Sequence, residues 1–225
     1  MLFLYDLGIR LYSVLIQFAY LNSFKARAWI NGRKNILNRI EAEIVPGSKH
    51  IWFHFASLGE FEQGRPVLEK IREYKPESKI FVTFFSPSGY EIRKDYPLAD
   101  HVFYLPVDTK MNAERFIELI NPSMAIFTKY EYWYYYFTEL KQQEIPLYII
   151  SGIFRTSQPF FKWYGSLHRE MLKCVSYFFV QNQESQRLLE QLGIHQVAVS
   201  GDTRFDRVFQ NARAAKELYV VKEFC

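Results

Sequence analysis

The chain has 225 residues, of which 49% are hydrophobic and 18% aromatic, and it carries a net charge of +4 with two cysteines. This length and apolar content suffice for one large or two small packed domains. Two cysteines form no disulfide framework, as is typical of a reducing compartment, and the histidines lack metal-ligand spacing. We therefore expect no protein-bound metal and no cofactor.

The positive charge is concentrated at the N-terminus, where residues 1–40 contain six Lys or Arg and a single Asp. This distribution argues against a broad nucleic-acid surface and favours a local contact with anions. Residues 1–21 are mostly apolar, and their polar positions fall on one face of a helix: Asp6, Arg10, Ser13 and Gln17. The uncharged stretch from Leu11 to Phe24 is shorter than the ~20 residues needed to cross a bilayer.

These features predict that residues 1–45 form a basic, membrane-associating segment that begins with an amphipathic helix lying in the membrane interface. The alternative is that this helix packs against its own domain or a partner subunit. In the membrane-bound arrangement, basic side chains close to the helix contact the anionic headgroups: Arg10, Lys25, Arg27, Arg33 and Lys34.

Beyond residue 46, segments typical of buried strands alternate with segments of helical periodicity. The predicted strands are 50–55, 79–84, 101–105, 123–128, 147–150, 177–180 and 197–200. One of the predicted helices runs from residue 159 to 174, and a last helix follows the turn at 201–206. This alternation predicts an α/β fold, a Rossmann-like parallel sheet with helices on both faces, over residues 46–210. The chain has neither a G-x-G-x-x-G motif nor a Walker A motif.

The turn after the first strand carries Ser57, Gly59 and Glu60 at the start of a helix. In a βαβ unit this turn lies at the carboxyl edge of the sheet, where open α/β folds bind ligands. The S-x-x-E spacing fits a capping box, in which Ser57 and Glu60 satisfy backbone N–H groups of the helix. The same position also suits a carboxylate that acts as a general base, and spacing alone leaves both interpretations open.

A second strand-to-helix junction carries Lys129 and Glu131, followed by an aromatic run. Six of the seven residues from 130 to 136 are Tyr or Trp. One buried helix stripe cannot accommodate all of these rings, so we expect several to be exposed or to line a cleft.

Five motifs then occur in a recognisable order: S-L-G-E at 57–60, T-F-F-S-P-S-G-Y at 83–90, Y-L-P-V-D at 104–108, K-Y-E-Y-W at 129–133 and G-D-T-R-F-D at 201–206. Together they resemble the N-terminal half of the 3-deoxy-D-manno-octulosonic acid (Kdo) transferase family. The resemblance spans roughly residues 1–210. No single one of these motifs is specific to the family, but the five motifs together in this order are.

The resemblance implies the GT-B architecture and transfer of Kdo from CMP-Kdo to a lipid A precursor, in lipopolysaccharide inner-core synthesis at the cytoplasmic face of the bacterial inner membrane. Glu60 matches the proposed catalytic base of the family. The family motifs place the expected acceptor-binding residues at Ser57, Gly59, Ser86, Ser88, Gly89, Lys129, Glu131, Arg155 and Arg204.

The chain departs from the family pattern at three of these positions. Lys129 stands where the family usually has a glutamate, and we expect it to contact an acceptor phosphate instead. Arg155 lies two positions beyond the usual arginine and would substitute for it. Arg204 replaces a common lysine, which keeps the charge and adds a planar donor fork.

Residues 211–225 are expected to begin the interdomain segment, and the nucleotide-sugar domain of the family is absent from this sequence. We therefore expect this polypeptide alone to bind acceptor but to turn over negligibly. Two alternatives stay open: a non-catalytic, membrane-peripheral α/β module that binds an anionic lipid or a protein partner, and a GT-B transferase with another donor.

Overall fold

A computed structural model describes residues 1–129 and 131–203 of the chain. The described residues form one seven-stranded sheet in which all paired strands are parallel. The strands are β1 (His50–Phe55), β2 (Lys79–Phe84), β3 (His101–Tyr104), β4 (Pro122–Thr128), β5 (Leu147–Gly152), β6 (Tyr177–Val180) and β7 (Val197–Val199).

The strand order is β3-β2-β1-β4-β5-β6-β7. The chain therefore first builds the sheet outward from β1 in one direction and then returns to add β4 on the other side of β1. The boundary between β1 and β4 is the topological switch point, where open α/β sheets have their ligand crevice. In the register of the sheet, Trp52 of β1 lies between Phe81 of β2 and Ala125 of β4.

Nine α-helices occur in the described part of the chain, together with a 3₁₀ turn at Pro159–Phe161. They are α1 (Leu2–Ala19), α2 (Phe24–Arg33), α3 (Ile36–Glu43), α4 (Leu58–Tyr74), α5 (Pro87–Arg93), α6 (Lys110–Ile120), α7 (Tyr134–Gln142), α8 (Ser166–Leu172) and α9 (Gln183–Gln191).

Alternate side chains of each strand supply two hydrophobic cores, one on each face of the sheet. On β1, Phe53 and Phe55 pack with Phe61 of α4 on one face, whereas Trp52 packs on the other face against Phe116 of α6 and Tyr136 of α7. Helix α3 also contributes Ile36, Ile40 and Ile44 to this second core. Both faces are thus covered, which explains why the strands are apolar throughout rather than alternating.

The predicted fold class is confirmed: a parallel, Rossmann-like sheet with helices on both faces follows an N-terminal helix. The single helix predicted over residues 159–174 is wrong. The chain instead forms the 3₁₀ turn, a loop and then α8. The Gly165 backbone nearly touches the Pro159 carbonyl, so that a Cβ atom at residue 165 would lie 1.8 Å from that oxygen. The predicted helix is interrupted at this close approach, which the spacing of the apolar residues does not reveal.

Helix α1 has none of its residues buried. Within the described residues it is the one helix long and apolar enough to cross a membrane, with a mean hydropathy of 1.3. Its inner side contacts the domain through aromatic rings, including Tyr12 against Trp29 and Phe85. Its outer side carries exposed apolar side chains: Phe3, Leu4, Leu7, Leu11, Val14, Leu15 and Phe18.

Candidate functional site at the carboxyl edge

Most of the predicted site residues follow the carboxyl ends of adjacent strands. Glu60 follows β1, Ser86 follows β2, Lys129 follows β4, and Arg155 follows β5. Because β2, β1, β4 and β5 are neighbours in the sheet, these residues share one continuous edge. Glu60 and Lys129 lie on the two sides of the switch point, where the crevice of this fold class forms.

Glu60 lies half-buried in the first turn of α4. Ser57 is the N-cap residue of α4, but its side chain does not accept a hydrogen bond from the helix backbone. The Ser57 hydroxyl instead donates to Oε2 of Glu60. The pair therefore departs from the capping-box geometry, and Ser57 holds the carboxylate. A carboxylate has about four lone-pair sites, so this bond leaves Glu60 able to accept a proton.

The turn after β2 is fixed beside the turn after β1, because the Ser86 N–H donates to the Ala56 carbonyl at 2.8 Å. Ser86 caps α5 by accepting a hydrogen bond from the Ser88 N–H, and the two serine hydroxyls are 3.0 Å apart. Gly89 is buried against the Phe84 ring, and a Cβ atom there would lie 2.3 Å from that ring. Ser86 and Gly89 therefore shape this turn, while Ser88 is exposed.

Lys129 ends β4 in a left-handed conformation, with φ of 67°, and its N–H donates to the Ile150 carbonyl. Glu131 follows on the same loop, but its Oε2 atom points into the protein. It accepts a hydrogen bond from Trp133 Nε1 at 3.0 Å and lies 3.3 Å from His54 Nε2. The contact with His54 thus holds the loop after β4 against strand β1.

His54 is completely buried, and its other ring nitrogen, Nδ1, lies 2.8 Å from the Thr83 hydroxyl oxygen. Trp52 Nε1 donates to the same oxygen. The Thr83 hydroxyl hydrogen has two acceptors within reach, the Phe53 carbonyl at 3.4 Å and His54 Nδ1 at 2.8 Å, and the shorter contact favours His54. His54 then carries its proton on Nε2 and donates to Glu131. Burial lowers the pKa of His54 below its usual range, so the ring is neutral at pH 7 and in this tautomer bonds to both Thr83 and Glu131.

This network was not predicted, because His54 is one of five histidines scattered along the sequence. A signal was present: Trp52 and His54 are two residues apart on a strand and therefore share a face. The ring nitrogens of two such neighbours on a buried face require hydrogen-bond partners. Thr83 on the neighbouring strand is in register with His54 and supplies one.

The loop after β7 is also tied to the site edge. The Thr203 hydroxyl donates to the backbone carbonyl of Gln63 on α4 and lies 2.8 Å from the Ser151 hydroxyl at the end of β5. Gln63 is buried and donates to Asp202. Arg204 lies outside the described residues. Arg155 is exposed in the loop after β5, where its N–H donates to Gln158 Oε1.

Four of the five cations predicted to contact a membrane are exposed: Arg10, Lys25, Arg27 and Lys34. The prediction for Arg33 is wrong, because its guanidinium points into the protein. Arg33 donates to the carbonyls of Phe85 and Leu105, at 2.7 and 2.8 Å, and stacks 4.1 Å from the Trp29 ring centroid. Those carbonyls lie past the ends of β2 and β3, so Arg33 ties α2 to the site edge.

Helix α1 is held at the same edge by hydrogen bonds. The Tyr5 hydroxyl donates to Asp108, whose carboxylate also accepts the N–H groups of Tyr135 and Tyr136 and so caps α7. The Tyr135 hydroxyl donates to Asp6 at 2.6 Å. Burial raises the pKa of Asp108 to about 6. Within the described part of the aromatic run, Tyr136 is fully buried and the four rings before it are half-buried. Two of these four, Tyr134 and Tyr135, line a cleft beside Leu2 of α1, in agreement with the expectation that rings of this run line a cleft.

The fold matches solved structures. The UDP-GlcNAc 2-epimerase from Neisseria meningitidis bound to UDP-GlcNAc is similar with a TM-score of 0.58 at 17% identity, over 78% of this chain and 52% of that one. The UDP-GlcNAc 2-epimerase from Methanocaldococcus jannaschii gives a TM-score of 0.55 at 14% identity, over 79% of this chain and 52% of that one. At these identities the likeness shows the fold alone.

Sequence relatives are more informative. The 3-deoxy-D-manno-octulosonic acid transferase of Chlamydia muridarum is 25% identical over 198 residues, which are 86% of this chain and 44% of the relative. The protein of the same name from Haemophilus influenzae is 27% identical over 168 residues, or 72% of this chain and 39% of the relative. The chain thus spans less than half the length of these relatives.

The model of the family described as 3-Deoxy-D-manno-octulosonic-acid transferase (kdotransferase) matches residues 27–207, which is most of the chain. The matched region contains the turn with Glu60, the His54–Glu131 pair and the loops after β5 and β7. The chain belongs to the Kdo transferase family.

Proposed function

We propose that this chain is the acceptor-binding half of a glycosyltransferase that transfers Kdo from CMP-Kdo to a lipid A precursor in lipopolysaccharide biosynthesis, with Glu60 as the general base. The observation that carries the proposal is the position of Glu60 in the first turn of α4, beside the switch point of the sheet. Family membership supports the reaction class, and the position of Glu60 at the edge of the sheet supports its assignment as the base.

The transfer reaction requires few catalytic groups from the protein. A hydroxyl of the acceptor sugar attacks the anomeric carbon of Kdo, the bond from that carbon to the phosphate oxygen breaks, and CMP leaves with the bonding electrons. The proton of the attacking hydroxyl passes to the Glu60 carboxylate. A positioned base contributes typically 10²–10⁴-fold to such a step. The Ser57 hydroxyl, which bonds to Glu60, orients the carboxylate and stabilises its charge.

The remaining edge residues bind the acceptor in this proposal. Ser88 and Arg155 are exposed and suit the hydroxyl and phosphate groups of a phosphorylated sugar. Lys129, at the opposite side of the switch point from Glu60, suits a phosphate. Arg204 belongs to the same acceptor set. Glu131 is a positioning residue, because its Oε2 atom bonds to His54 and Trp133 inside the protein.

The N-terminal helix attaches the protein to the cytoplasmic face of the bacterial inner membrane as a peripheral anchor. Its outer face exposes Leu11 and Phe18, at 55% and 77%, and exposed cations lie nearby on α1 and α2. A helix with this arrangement lies in the interface with its apolar side in the acyl boundary. The attachment would bring the carboxyl edge close to a lipid-borne acceptor.

A GT-B active site is formed between two domains, so the polypeptide of residues 1–225 should bind acceptor and transfer no measurable Kdo. The test is an assay with CMP-Kdo and a lipid A precursor on residues 1–225 alone and on a polypeptide that joins it to the second domain of a relative. Transfer by the joined protein, with CMP-Kdo preferred over other activated sugars, supports the proposal. Lipid binding without transfer in the joined protein would favour a non-catalytic module instead.

A further inference from the structure

Helix α7 begins without a capping side chain of its own. The first N–H groups of an α-helix have no partner within the helix, and the side chain of the N-cap residue commonly accepts one of these bonds. In α7 the N-cap residue is Trp133, whose side chain makes no such bond. The N–H groups of the first turn, those of Tyr134, Tyr135 and Tyr136, therefore depend on acceptors from elsewhere in the chain.

Two distant residues supply these acceptors. The Asp108 carboxylate, in the loop after β3, accepts the N–H groups of Tyr135 and Tyr136, each at 3.1 Å. The Tyr5 hydroxyl of α1 accepts the Tyr134 N–H at 3.2 Å and donates its own hydrogen to Asp108. One hydroxyl thus completes the set, and it belongs to a residue 129 positions before Tyr134.

The contact between α1 and α7 lies inside the protein rather than on its surface. Asp108 is only 2% exposed, and the Tyr5 ring packs against the rings of Tyr134 and Tyr135, at 5.8 and 6.1 Å between centroids. A further hydrogen bond, from the Tyr135 hydroxyl to Asp6 at 2.6 Å, joins the same two helices. Because a buried N–H group that loses its acceptor is costly, removing the Tyr5 hydroxyl should disturb the start of α7.

The start of α7 is continuous with the loop at the switch point. Trp133, directly before α7, donates from its indole nitrogen to Glu131 Oε2 at 3.0 Å, and its ring centroid lies 4.9 Å from that of Phe85. Glu131 in turn lies against His54 of β1. A displacement of the first turn of α7 would therefore be passed to Trp133 and to the loop that carries Lys129, at one side of the crevice.

We propose that Tyr5 is a positioning residue of the acceptor site: its hydroxyl fixes the first turn of α7 and, through it, the loop after β4 that borders the crevice. Helix α1 is then part of the scaffold of the site as well as the proposed membrane contact. The inference rests on the proposed acceptor role of the carboxyl edge. It adds that acceptor binding depends on α1 even where no membrane is present.

The test compares Tyr5→Phe with wild type, because phenylalanine keeps the ring contacts and removes the hydroxyl alone. In ¹⁵N-tryptophan-labelled protein of residues 1–225, the indole N–H resonance of Trp133, assigned by Trp133→Phe among the four tryptophans, should shift or broaden. In a complete enzyme that contains this chain, the KM for a detergent-solubilised lipid A precursor should rise up to ~10-fold, the equivalent of one hydrogen bond, with kcat unchanged.

Two controls separate positioning from a general loss of stability. Tyr20→Phe removes a hydroxyl at the other end of α1, where it lies 3.5 Å from Asn31 Oδ1 at an exposed site. Ile80→Val weakens the core on the opposite face of the sheet from α7. Both variants should leave the Trp133 resonance and the KM unchanged.

Three results would overturn the proposal: an unchanged Trp133 resonance in Tyr5→Phe, an equal change in either control, or a shifted resonance with an unchanged KM. Failure of the proposed function has a different sign, because the wild-type complete enzyme would then transfer no Kdo. In that case the Trp133 resonance alone decides whether Tyr5 holds the loop.

Discussion

His54 Nε2 and Glu131 Oε2 lie 3.3 Å apart, which joins strand β1 to the loop that follows its neighbour β4. The Glu131 side chain is 16% exposed, and its Oε2 atom also accepts the Trp133 indole N–H. The pair therefore fixes the loop at the switch point from below. The loop held in this way carries Lys129 and leads into the start of α7.

Replacing Glu131 should separate the contribution of its charge from that of its hydrogen bonds. In Glu131→Ala, the Trp133 N–H and the His54 ring lose their buried acceptor, which should lower the free energy of unfolding by ~1–3 kcal/mol. In Glu131→Gln the amide oxygen can accept both bonds, so the loss should stay below ~1 kcal/mol. Urea unfolding measures both changes. Glu114→Ala, at an exposed site of α6, serves as the control. Equal losses in the Ala and Gln variants would mean that charge, not hydrogen bonding, holds the loop.

The neutral state of His54 predicts a pH dependence of stability. Its pKa is lowered by burial in the folded protein, whereas in the unfolded chain it is about 6.5. Between these two pKa values the unfolded state binds the extra proton, so stability is fully present above pH 6.5 and falls as the pH drops. The loss approaches about 1.4 kcal/mol per pH unit inside that window.

The measurement is the difference in unfolding free energy between wild type and His54→Gln from pH 7.5 to 5. The contributions of the other histidines cancel in this difference. It should shrink below pH 6.5, and two parallel curves would show that His54 does not change its protonation on folding.

Two glycines of α4 should respond oppositely to alanine. A Cβ atom at Gly64 would lie 2.3 Å from the Phe55 ring and 2.9 Å from the Thr128 hydroxyl, so Gly64→Ala should cost ~1–3 kcal/mol through overpacking. At Gly59 the nearest atom is 3.7 Å away, so Gly59→Ala should gain roughly 0.5–1 kcal/mol from helix propensity. Thermal unfolding measures both. A stabilised Gly64→Ala protein would mean that α4 can move away from β1.

The outer face of α1 should control membrane partitioning. Leu11→Glu with Phe18→Glu removes two large apolar side chains from the predicted lipid contact, and each is worth ~1.5–3 kcal/mol when buried. The partition coefficient into phosphatidylglycerol-containing vesicles should therefore fall ~100-fold or more. Ile92→Glu with Met111→Glu makes the same change at exposed apolar sites on α5 and α6 and should leave partitioning unaltered. Equal behaviour of the two double variants would exclude α1 as the anchor.

The strand predictions succeeded because fully buried parallel strands are continuous apolar runs, and all seven appear within two residues of their predicted ends. The strand order was not predicted, because the periodicity of a strand does not specify its neighbour. The sequence also did not reveal the interruption before α8, which depends on the close approach of Gly165 to a backbone carbonyl.

At the site, strand-to-helix junctions identified Glu60 and Lys129, because local sequence defines such turns. Partners that are distant in sequence were missed. Arg33 was assigned to a membrane surface from its position in a basic cluster, yet its guanidinium reaches carbonyls 52 and 72 residues away. Glu131 was assigned to the acceptor from the family resemblance of its motif, which gives no sign that its Oε2 atom lies beside a histidine 77 residues away.

The most direct test of the central claim is the turnover of Glu60→Gln in a complete enzyme that contains this chain, with Glu73→Gln as the control at the other end of α4. Glutamine keeps the size of the side chain and can still accept the Ser57 hydrogen bond, but it cannot take a proton. We expect kcat for Kdo transfer to fall ~10²–10⁴-fold in Glu60→Gln and to be unchanged in Glu73→Gln. A Glu60→Gln enzyme that keeps the kcat of wild type would contradict the assignment of the general base.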